Sequence, residues 1–370
     1  MAELAIDIAV RAGEFTLEAA FEAGHGITAI FGQSGAGKST LLRSVAGLTR
    51  PDRARIEYGG RVVEDTQKGI HVPAHRRRVG YVFQDDRLFP HMNVRRNIGY
   101  GAARNAAPPG QPDFDQIVAM LGIEDLIERM PETLSGGERK RVAIARALMS
   151  NPQILLMDEP LASLDHARRA RIMPYLERIR SETSIPILYV SHEIEEIARL
   201  ADTLVIVSQG RVVASGDATA LFARSDLGEH LGPGAASVLL RAIFRHYDEE
   251  HDMMELDLEG YTVYLLGPGN REDLPRPGTA LRLRVDSSDV ALSLVPRSDL
   301  SVRNQLPMVI EEIIGDGRAS VEIRGIVGLQ LVKARVTRRT VEDLSLRPGN
   351  TVYALIKTLS FERRLVQEHD

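Results

Sequence analysis

The stretch Gly32-Gln-Ser-Gly-Ala-Gly-Lys-Ser39 is the most informative in this chain of 370 residues. It matches in full the pattern of a phosphate-binding loop, in which a lysine and a hydroxyl residue follow a glycine-rich turn. The apolar run from Ile27 to Phe31 precedes the loop, and a helical pattern from Lys38 to Ala46 follows it. Because the motif requires a strand before it and a helix after it, this context predicts a nucleotide-binding α/β domain.

The glycines of this loop let the backbone turn its N–H groups toward phosphate oxygens, and the N-terminus of the following helix adds a favourable dipole. Lys38 is predicted to reach the β- and γ-phosphates of a bound nucleotide, Ser39 to coordinate Mg²⁺, and Thr40 to add a contact nearby. The residues predicted to bind the nucleotide here are Gly32, Gln33, Ser34, Gly35, Ala36, Gly37, Lys38, Ser39 and Thr40.

A second apolar run, Ile154 to Met157, ends in the two carboxylates Asp158 and Glu159. Ligands of open parallel sheets bind at the carboxyl ends of the strands, so both acids are expected near the phosphates. Asp158 is suited to hold Mg²⁺, directly or through water. Glu159 is suited to position the attacking water as a general base.

Short, almost wholly apolar runs alternate with helical patterns through the N-terminal part of the chain. This alternation is typical of a parallel sheet that is buried on both faces. Between Thr203 and Ser215 the pattern changes to strand, turn and strand around Gln209-Gly210, which predicts a hairpin.

The composition is that of an ordinary globular protein, with 44% hydrophobic and 26% charged residues. A formal net charge of -5 argues against binding to nucleic acid by bulk positive charge, so no nucleic-acid partner is expected. The absence of cysteine excludes disulfides and thiolate metal sites. No apolar run approaches the ~18 residues of a membrane span, and Glu3 and Asp7 interrupt the first apolar stretch, unlike a secretory signal. If the protein serves a membrane, other subunits are expected to cross it.

The sequence Leu134-Ser-Gly-Gly-Glu138 lies between the phosphate loop and the carboxylate strand. It predicts a second helix N-terminus with two glycines, and Ser135 with Glu138 matches a capping box. With this motif the chain resembles the ATPases of ABC transporters, whose signature it matches unaltered. The resemblance implies that Ser135, Gly136 and Gly137 contact ATP bound to the opposite subunit. One phosphate loop and one signature in the chain then imply a homodimer that holds two ATP at its interface.

Other landmarks of that family follow in the expected order. Gln84 matches the glutamine that senses Mg²⁺ and water and couples to the membrane subunits, and Leu88 to Met92 resembles the segment that those subunits contact. Ala162 to Asp165 resembles the loop that communicates across the dimer. His192 matches the switch histidine that holds the γ-phosphate and the water. The resemblance therefore implies Glu159, His192 and Gln84 as catalytic residues and Ser39, Gln84 and Asp158 as metal-binding residues.

The C-terminal part of the chain has a different, β-rich character. Residues 226 to 245, including Val238 to Phe244, are predicted to form a linking helical stretch. Beyond it, Arg276-Pro-Gly278 and Arg347-Pro-Gly349 each precede a strand, which indicates two similar small β units. The expected architecture is a P-loop NTPase domain of the ABC ATPase type over residues 1–228, a linker and first β unit over 229–299, and an all-β, OB-like barrel module over 300–366.

This C-terminal region resembles the regulatory domain of importer ATPases, and among them most closely the ATPase subunit of molybdate importers. Ser301-Val-Arg-Asn304 resembles the start of molybdate-binding β modules, and Arg347-Pro-Gly349 leading to Ala354-Leu-Ile-Lys357 resembles their last strand. A tetrahedral oxyanion needs hydroxyl, amide and cationic donors. The predicted oxyanion-binding residues are Ser301, Arg303, Asn304 and Lys357.

The resemblance implies an ATPase that drives molybdate uptake from the cytoplasmic face of the cell membrane, as a peripheral homodimer. Its implied partners are two integral-membrane channel subunits, an external substrate-binding protein acting indirectly, and cytoplasmic molybdate as a regulator. The alternatives left open are an importer for tungstate, sulfate or a sugar, and a non-transport ATPase of the same superfamily. The C-terminal module either senses the anion or only strengthens the dimer.

Overall fold

The computed structural model describes residues 3–101, 112–162, 164–224, 226–231, 237–268, 274–315, 319–358 and 362–366. Contacts divide the chain into two compact units, Met1–Ala218 and Thr219–Asp370. Among the described residues, no helix is long and apolar enough to cross a membrane.

Helices are found in both units. In the described ranges they are α1 (Lys38–Val45), α2 (Val94–Gly99), α3 (Phe114–Leu121), α4 (Gly136–Met149), α5 (His166–Glu182), α6 (Ile194–Leu200), α7 (Ala218–Ala223), α8 (Gly228–Leu231) and α9 (Arg338–Asp343). Short 3-10 helices cover Ala74–Arg76, Glu124–Leu126, Pro131–Thr133 and Ser287–Asp289.

Strands make up the rest of the regular structure. Those of the first unit are β1 (Leu4–Ala12), β2 (Phe15–Ala23), β3 (Ile27–Phe31), β4 (Arg53–Tyr58), β5 (Arg61–Asp65), β6 (Ile70–His71), β7 (Val79–Val82), β8 (Ile154–Asp158), β9 (Ile187–Ser191), β10 (Thr203–Ser208) and β11 (Arg211–Asp217). Those of the second unit are β12 (Ser237–Asp248), β13 (Met253–Leu258), β14 (Tyr261–Leu266), β15 (Ala280–Asp286), β16 (Val290–Ser293), β17 (Asn304–Gly315), β18 (Ser320–Val327), β19 (Gln330–Thr337), β20 (Thr351–Ile356) and β21 (Glu362–Val366).

The first unit contains one mixed sheet of strand order β6-β5-β4-β1-β2-β11-β10-β3-β9-β8-β7. Its part from β10 to β7 is parallel, and β1 pairs antiparallel with β2 and β4. Every residue of β3, β8 and β9 is buried, as the apolar runs predict for strands covered on both faces. The residues that follow these three strands therefore emerge together at one edge of the sheet, where ligands of open parallel sheets bind.

The predicted hairpin is confirmed at β10 and β11. The two strands pair antiparallel, with Ser208 opposite Arg211. Gln209 and Gly210 between them both have positive φ, at 48° and 77°. Two successive positive φ angles are typical of the two-residue turn that matches the twist of a hairpin.

The predicted helix over Val238–Phe244 is wrong, because this segment lies within strand β12. Val238, Leu240, Ala242 and Phe244 are buried at every second position, while Arg241 between them is exposed. A short apolar run does not distinguish a buried strand from a buried helix by periodicity alone. Pairing with β13 and β15 on either side determines the strand here.

The second unit confirms an internal repeat. Its two five-stranded sheets have the orders β14-β13-β12-β15-β21 and β16-β20-β17-β18-β19, so the strands β12 to β15 correspond to β17 to β20. Gly278 and Gly349, with φ of 90° and 87°, end equivalent Arg-Pro-Gly turns. Their N–H groups donate to the carbonyls of Phe244 and Ile310, at equivalent bulges of β12 and β17.

The fifth strand of each sheet comes from the other half of the unit. β16, which follows β15 in the chain, pairs with β20, and β21, which follows β20, pairs with β15. Buried residues of both sheets form one hydrophobic cluster. The division predicted between 299 and 300 therefore does not coincide with a division of the core, and position 228 lies inside the second unit.

Candidate functional site: the phosphate loop and its neighbours

Backbone geometry explains the glycines of the phosphate loop. A Cβ on Gly32 would lie 2.2 Å from the carbonyl oxygen of Val207, so only glycine fits where the loop leaves β3. Gly37, the N-cap of α1, has φ of 101°, and Gly35 has φ of 83° with no atom near its would-be Cβ. Positive φ at these positions favours glycine and turns the N–H groups to one side, as an anion-binding loop requires.

Lys38 lies inside the curve of this loop and is only 5% exposed. Its Nζ donates to the carbonyl oxygens of Gly32 at 2.7 Å and Gln33 at 3.0 Å, and it lies 3.8 Å from Oε1 of Glu159. Burial lowers the pKa of Lys38, and the nearby carboxylates of Glu159 and Asp158 partly counter this. The structure thus places the predicted phosphate-binding cation next to the predicted general base.

Asp158 and Ser39 form the part of the site that fits Mg²⁺. Ser39 Oγ donates to Oδ1 of Asp158 at 2.9 Å, and the hydroxyl of Tyr81 donates to Oδ2 of the same carboxylate at 3.1 Å. Burial, with the adjacent Asp158 charge, raises the pKa of Tyr81, so its hydroxyl remains a donor. A serine hydroxyl and one carboxylate are the hard oxygen donors that Mg²⁺ takes from proteins when phosphates complete its coordination.

Glu159 and His192 face each other across the carboxyl ends of β8 and β9. Glu159 Oε2 lies 3.3 Å from Nδ1 of His192. Glu159 has φ of 46°, which is uncommon for a residue with a side chain. Such conformations persist only where the surroundings enforce them, and they concentrate at functional sites. The backbone turn after β8 thus directs this carboxylate toward Lys38 and His192.

The signature residues open helix α4. The predicted capping box is confirmed: Ser135 is the N-cap, its hydroxyl accepts from the Glu138 N–H, and Glu138 accepts from the Ser135 N–H. These bonds lower the pKa of Glu138. A Cβ on Gly136 or Gly137 would make only ordinary contacts, at 3.5 and 3.4 Å, and neither has positive φ. Neither the packing nor the backbone conformation within this chain requires these two glycines.

Gln84 is exposed, and its backbone is held by helix α4. The buried Nζ of Lys140 donates to the carbonyl oxygen of Gln84 and lies 2.9 Å from Oδ1 of Asp86. Arg146 donates to the carbonyl oxygens of Asp86 and Arg87. The signature helix and the glutamine loop are therefore linked by charged contacts.

Lys140→Met is expected to destabilise the first unit by about 2 kcal/mol, because it leaves Asp86 and the Gln84 carbonyl without their buried partner. For a unit of this size that corresponds to a fall in Tm of about 4–8 °C, measurable by calorimetry. Arg178→Met removes an exposed partner of Glu182 and should change Tm little. Equal effects of the two variants would contradict this account.

Comparison with known proteins agrees with this geometry. A family model described as ABC transporter matches residues 17–162, and one described as TOBE domain matches residues 300–359. The chain is 47% identical over 370 residues to a protein of Brucella abortus (strain 2308) named molybdenum import ATP-binding protein ModC, covering 100% of both chains. It is 44% identical over 359 residues to a protein of that name from Rhizobium etli, covering 97% of this chain and 99% of the relative.

The chain belongs to the ABC transporter family of ATP-binding proteins. It is an ATP-hydrolysing transporter subunit, and the family implies dimerisation and membrane subunits as partners. Among solved structures, this ABC ATPase resembles cbiO1 from Clostridium perfringens, part of the ABC transporter complex cbiONQ. The TM-score is 0.53 at 29% identity, covering 61% of this chain and 92% of that one.

Several neighbours of the ABC ATPase site were not predicted from the sequence. Tyr81 and Lys140 each make polar contacts with residues that are distant in the chain, and no sequence motif indicates these contacts. Phe15, the aromatic residue nearest upstream, has its ring 3.1 Å from the would-be Cβ of Gly37, so it packs against the phosphate loop. Ser163, within the predicted communication loop, lies outside the described residues.

The four predicted oxyanion residues have different environments in the TOBE region. Asn304 is fully buried: its Oδ1 accepts from the N–H of Tyr264 at 2.7 Å, and its Nδ2 donates to the Tyr264 carbonyl at 3.0 Å. Its amide therefore joins β14 to β17. Ser301, Arg303 and Lys357 are exposed.

Proposed function

We propose that this ABC ATPase drives molybdate uptake, as a homodimer on the cytoplasmic face of the cell membrane, bound to two channel subunits. The observation that carries the proposal is the 47% identity over all 370 residues to a protein named for molybdenum import. An external binding protein would deliver the anion to the channel. The ATPase function is assigned to residues 1–228 and oxyanion binding to the module at 300–366.

The ATP site supports a hydrolytic mechanism. Lys38 and the N–H groups of the phosphate loop would bind the phosphates, and Glu159 would orient the attacking water and accept its proton. His192, 3.3 Å from Glu159, would hold that water and the γ-phosphate. Ser39, Asp158 and Gln84 would hold Mg²⁺, which would neutralise charge on the phosphates.

The signature supports the homodimer. The fold of one chain does not require glycine at positions 136 and 137. The close approach of another molecule would explain why both positions lack a side chain. At a helix N-terminus that molecule would carry negative charge. ATP bound to the phosphate loop of the second subunit meets both conditions.

The C-terminal module would bind cytoplasmic molybdate and reduce transport when the anion is plentiful. The exposed hydroxyl of Ser301 and the cations of Arg303 and Lys357 would supply the donors, while Asn304 holds the start of β17 in place. The rival role for the module is to strengthen the dimer only.

The test measures ATPase activity of the complex in vesicles while molybdate, tungstate or sulfate is added on the cytoplasmic side. We expect inhibition by molybdate and tungstate, and no inhibition by sulfate. A chain carrying Arg303→Gln and Lys357→Gln should keep its activity and lose the inhibition. If none of the oxyanions changes the ATPase activity, the module has only a structural role. Inhibition by sulfate alone would point to a different transported anion.

The remaining alternatives concern the partner. If the chain is a non-transport ATPase, it should stay out of the membrane fraction when the channel subunits are co-expressed. An importer ATPase should sediment with them, and its ATPase activity should then depend on the channel.

A further inference from the structure

A buried carboxylate lies next to the switch histidine. Glu196 of α6 is only 2% exposed, and its Oε2 accepts hydrogen bonds from the hydroxyls of Tyr189 at 2.7 Å and Ser191 at 2.8 Å. Burial raises the pKa of Glu196. The hydrogen bonds from Tyr189 and Ser191 oppose that rise, and so does the positive charge of the nearby Arg169. Burying an ionised carboxylate is unfavourable unless it is paired, so a charged Glu196 requires a compensating charge in its surroundings.

Arg169 of α5 supplies the paired charge. Its Nε lies 3.3 Å from Oε1 of Glu196, and its Nη1 lies 3.2 Å from Oε1 of Glu193. Neither Nε of Arg169 nor Oε1 of Glu196 makes a hydrogen bond to any described residue. The two side chains are therefore close enough for an ion pair but do not have hydrogen-bond geometry. One arginine thus contacts two carboxylates on either side of the start of α6.

These contacts fix both chain neighbours of His192. Ser191 Oγ donates to Glu196 and accepts from the N–H of Glu193 at 3.0 Å. The Glu193 carboxylate lies 3.8 Å from Nε2 of His192, whose Nδ1 faces Glu159. The imidazole is therefore placed between the carboxylate next to Arg169 and the general base.

Arg169 is also connected to Glu159 through the chain. Helix α5 begins at His166, shortly after Glu159, and its N-cap Asp165 accepts from the N–H of Arg168. Arg169 lies one turn into this helix. The arginine therefore joins the segment that follows the general base to the segment that carries the switch histidine.

We propose that Arg169 and Glu196 are positioning residues, which hold His192 at its distance from Glu159. The inference rests on the proposed roles of Glu159 and His192 in hydrolysis. Because the pair acts on alignment rather than on the phosphates, its loss should lower kcat far more than it weakens ATP binding. A misplacement of a catalytic group by about 1 Å costs up to about 100-fold in rate.

A purely structural role for the pair makes a different prediction. Arg199 and Glu177 form a second ion pair between the same two helices, with contacts of 2.8 and 3.2 Å, at residues further along each helix. If Arg169 and Glu196 only dock α5 against α6, loss of either pair should have similar effects. Arg199→Met is therefore a matched control.

The experiment compares Glu196→Gln, Arg169→Met and Arg199→Met in the full chain. We would measure kcat and KM for ATP, affinity for a fluorescent ATP analogue, and Tm. We expect Glu196→Gln and Arg169→Met to lower kcat about 10- to 100-fold with affinity within about 2-fold. Arg199→Met should leave kcat within about 2-fold even where Tm falls equally. Equal losses of kcat in the three variants would overturn the proposal.

Combining Arg169→Met with Glu196→Gln separates alignment from stability. The double variant buries no unpaired charge, so its Tm should recover relative to the single variants, while kcat stays low. Recovery of kcat together with Tm would show that the pair is only structural.

Two further variants keep the outcome decisive. If Glu196→Gln does not fold, Ser191→Ala removes the hydrogen bonds that Ser191 makes with Glu196 and with the N–H of Glu193, without removing a charge. In that variant kcat should fall while ATP affinity holds. An unchanged kcat there would count against the proposal. The variant His192→Ala distinguishes failure of the two proposals. If His192→Ala keeps full activity, the proposed role of His192 is wrong. If His192→Ala is inactive while Glu196→Gln is fully active, only the positioning role of Glu196 is wrong.

Discussion

Glu159→Gln should lower ATP turnover by about 10²- to 10⁴-fold, the range that a general base contributes, while ATP still binds. Glutamine has the shape of glutamate and keeps hydrogen-bonding capacity toward Lys38 and His192, which lie 3.8 and 3.3 Å away. It does not accept the proton of the attacking water. ATP therefore remains bound, and the dimer should persist.

The measurement combines phosphate release with chromatography in ATP and Mg²⁺. Glu182→Gln is the control, because it changes an exposed carboxylate at the end of α5 that contacts Arg178. It should hydrolyse ATP normally and return to monomers after turnover. A Glu159→Gln protein that stays monomeric with ATP and Mg²⁺ would refute the proposed mechanism.

Lys38→Met is expected to weaken ATP binding by about 100-fold or more, since the substitution removes a charge-assisted contact to the phosphates worth up to about 3 kcal/mol. The substitution also leaves Asp158 and Glu159 as uncompensated negative charges beside the phosphates. Titration with a fluorescent ATP analogue would measure the change in Kd.

Lys333→Met is the matched control for Lys38→Met. Lys333 is a buried lysine of the second unit, 1% exposed, which donates to the carbonyl oxygen of Phe222 at 3.2 Å. Its loss should lower Tm and leave the Kd for ATP unchanged. An unaltered Kd in Lys38→Met would mean that this lysine does not contact the phosphates.

The phosphate loop, the carboxylate strand and the signature were predictable because each is a short, contiguous stretch with a fixed backbone geometry. A φ of 101° at Gly37 or a capping box at Ser135 is a local property that the residue types themselves demand. The sequence also placed these loops at one edge of the sheet, since parallel strands share their carboxyl ends.

The charged contacts around the site were not predictable in the same way. Lys140 with Asp86, and Arg169 with Glu196, join residues that are far apart in sequence, and a charged residue on a helix is more often exposed than buried. The wrong helix over Val238–Phe244 has a related cause. Its β conformation depends on partners in β13 and β15, which lie later in the chain.

The exchanged fifth strands of the second unit determine when that unit can be completed during synthesis. β15 forms pairs with β12 early, but its other edge is covered only by β21, from residues Glu362–Val366. Until β21 has been synthesised, that edge presents unpaired backbone groups to any other strand nearby. A chain cut short before β21 would keep its motifs and its ATP site, yet the edge of β15 would stay exposed to pairing with other chains. Strand β21 thus protects the protein against self-association.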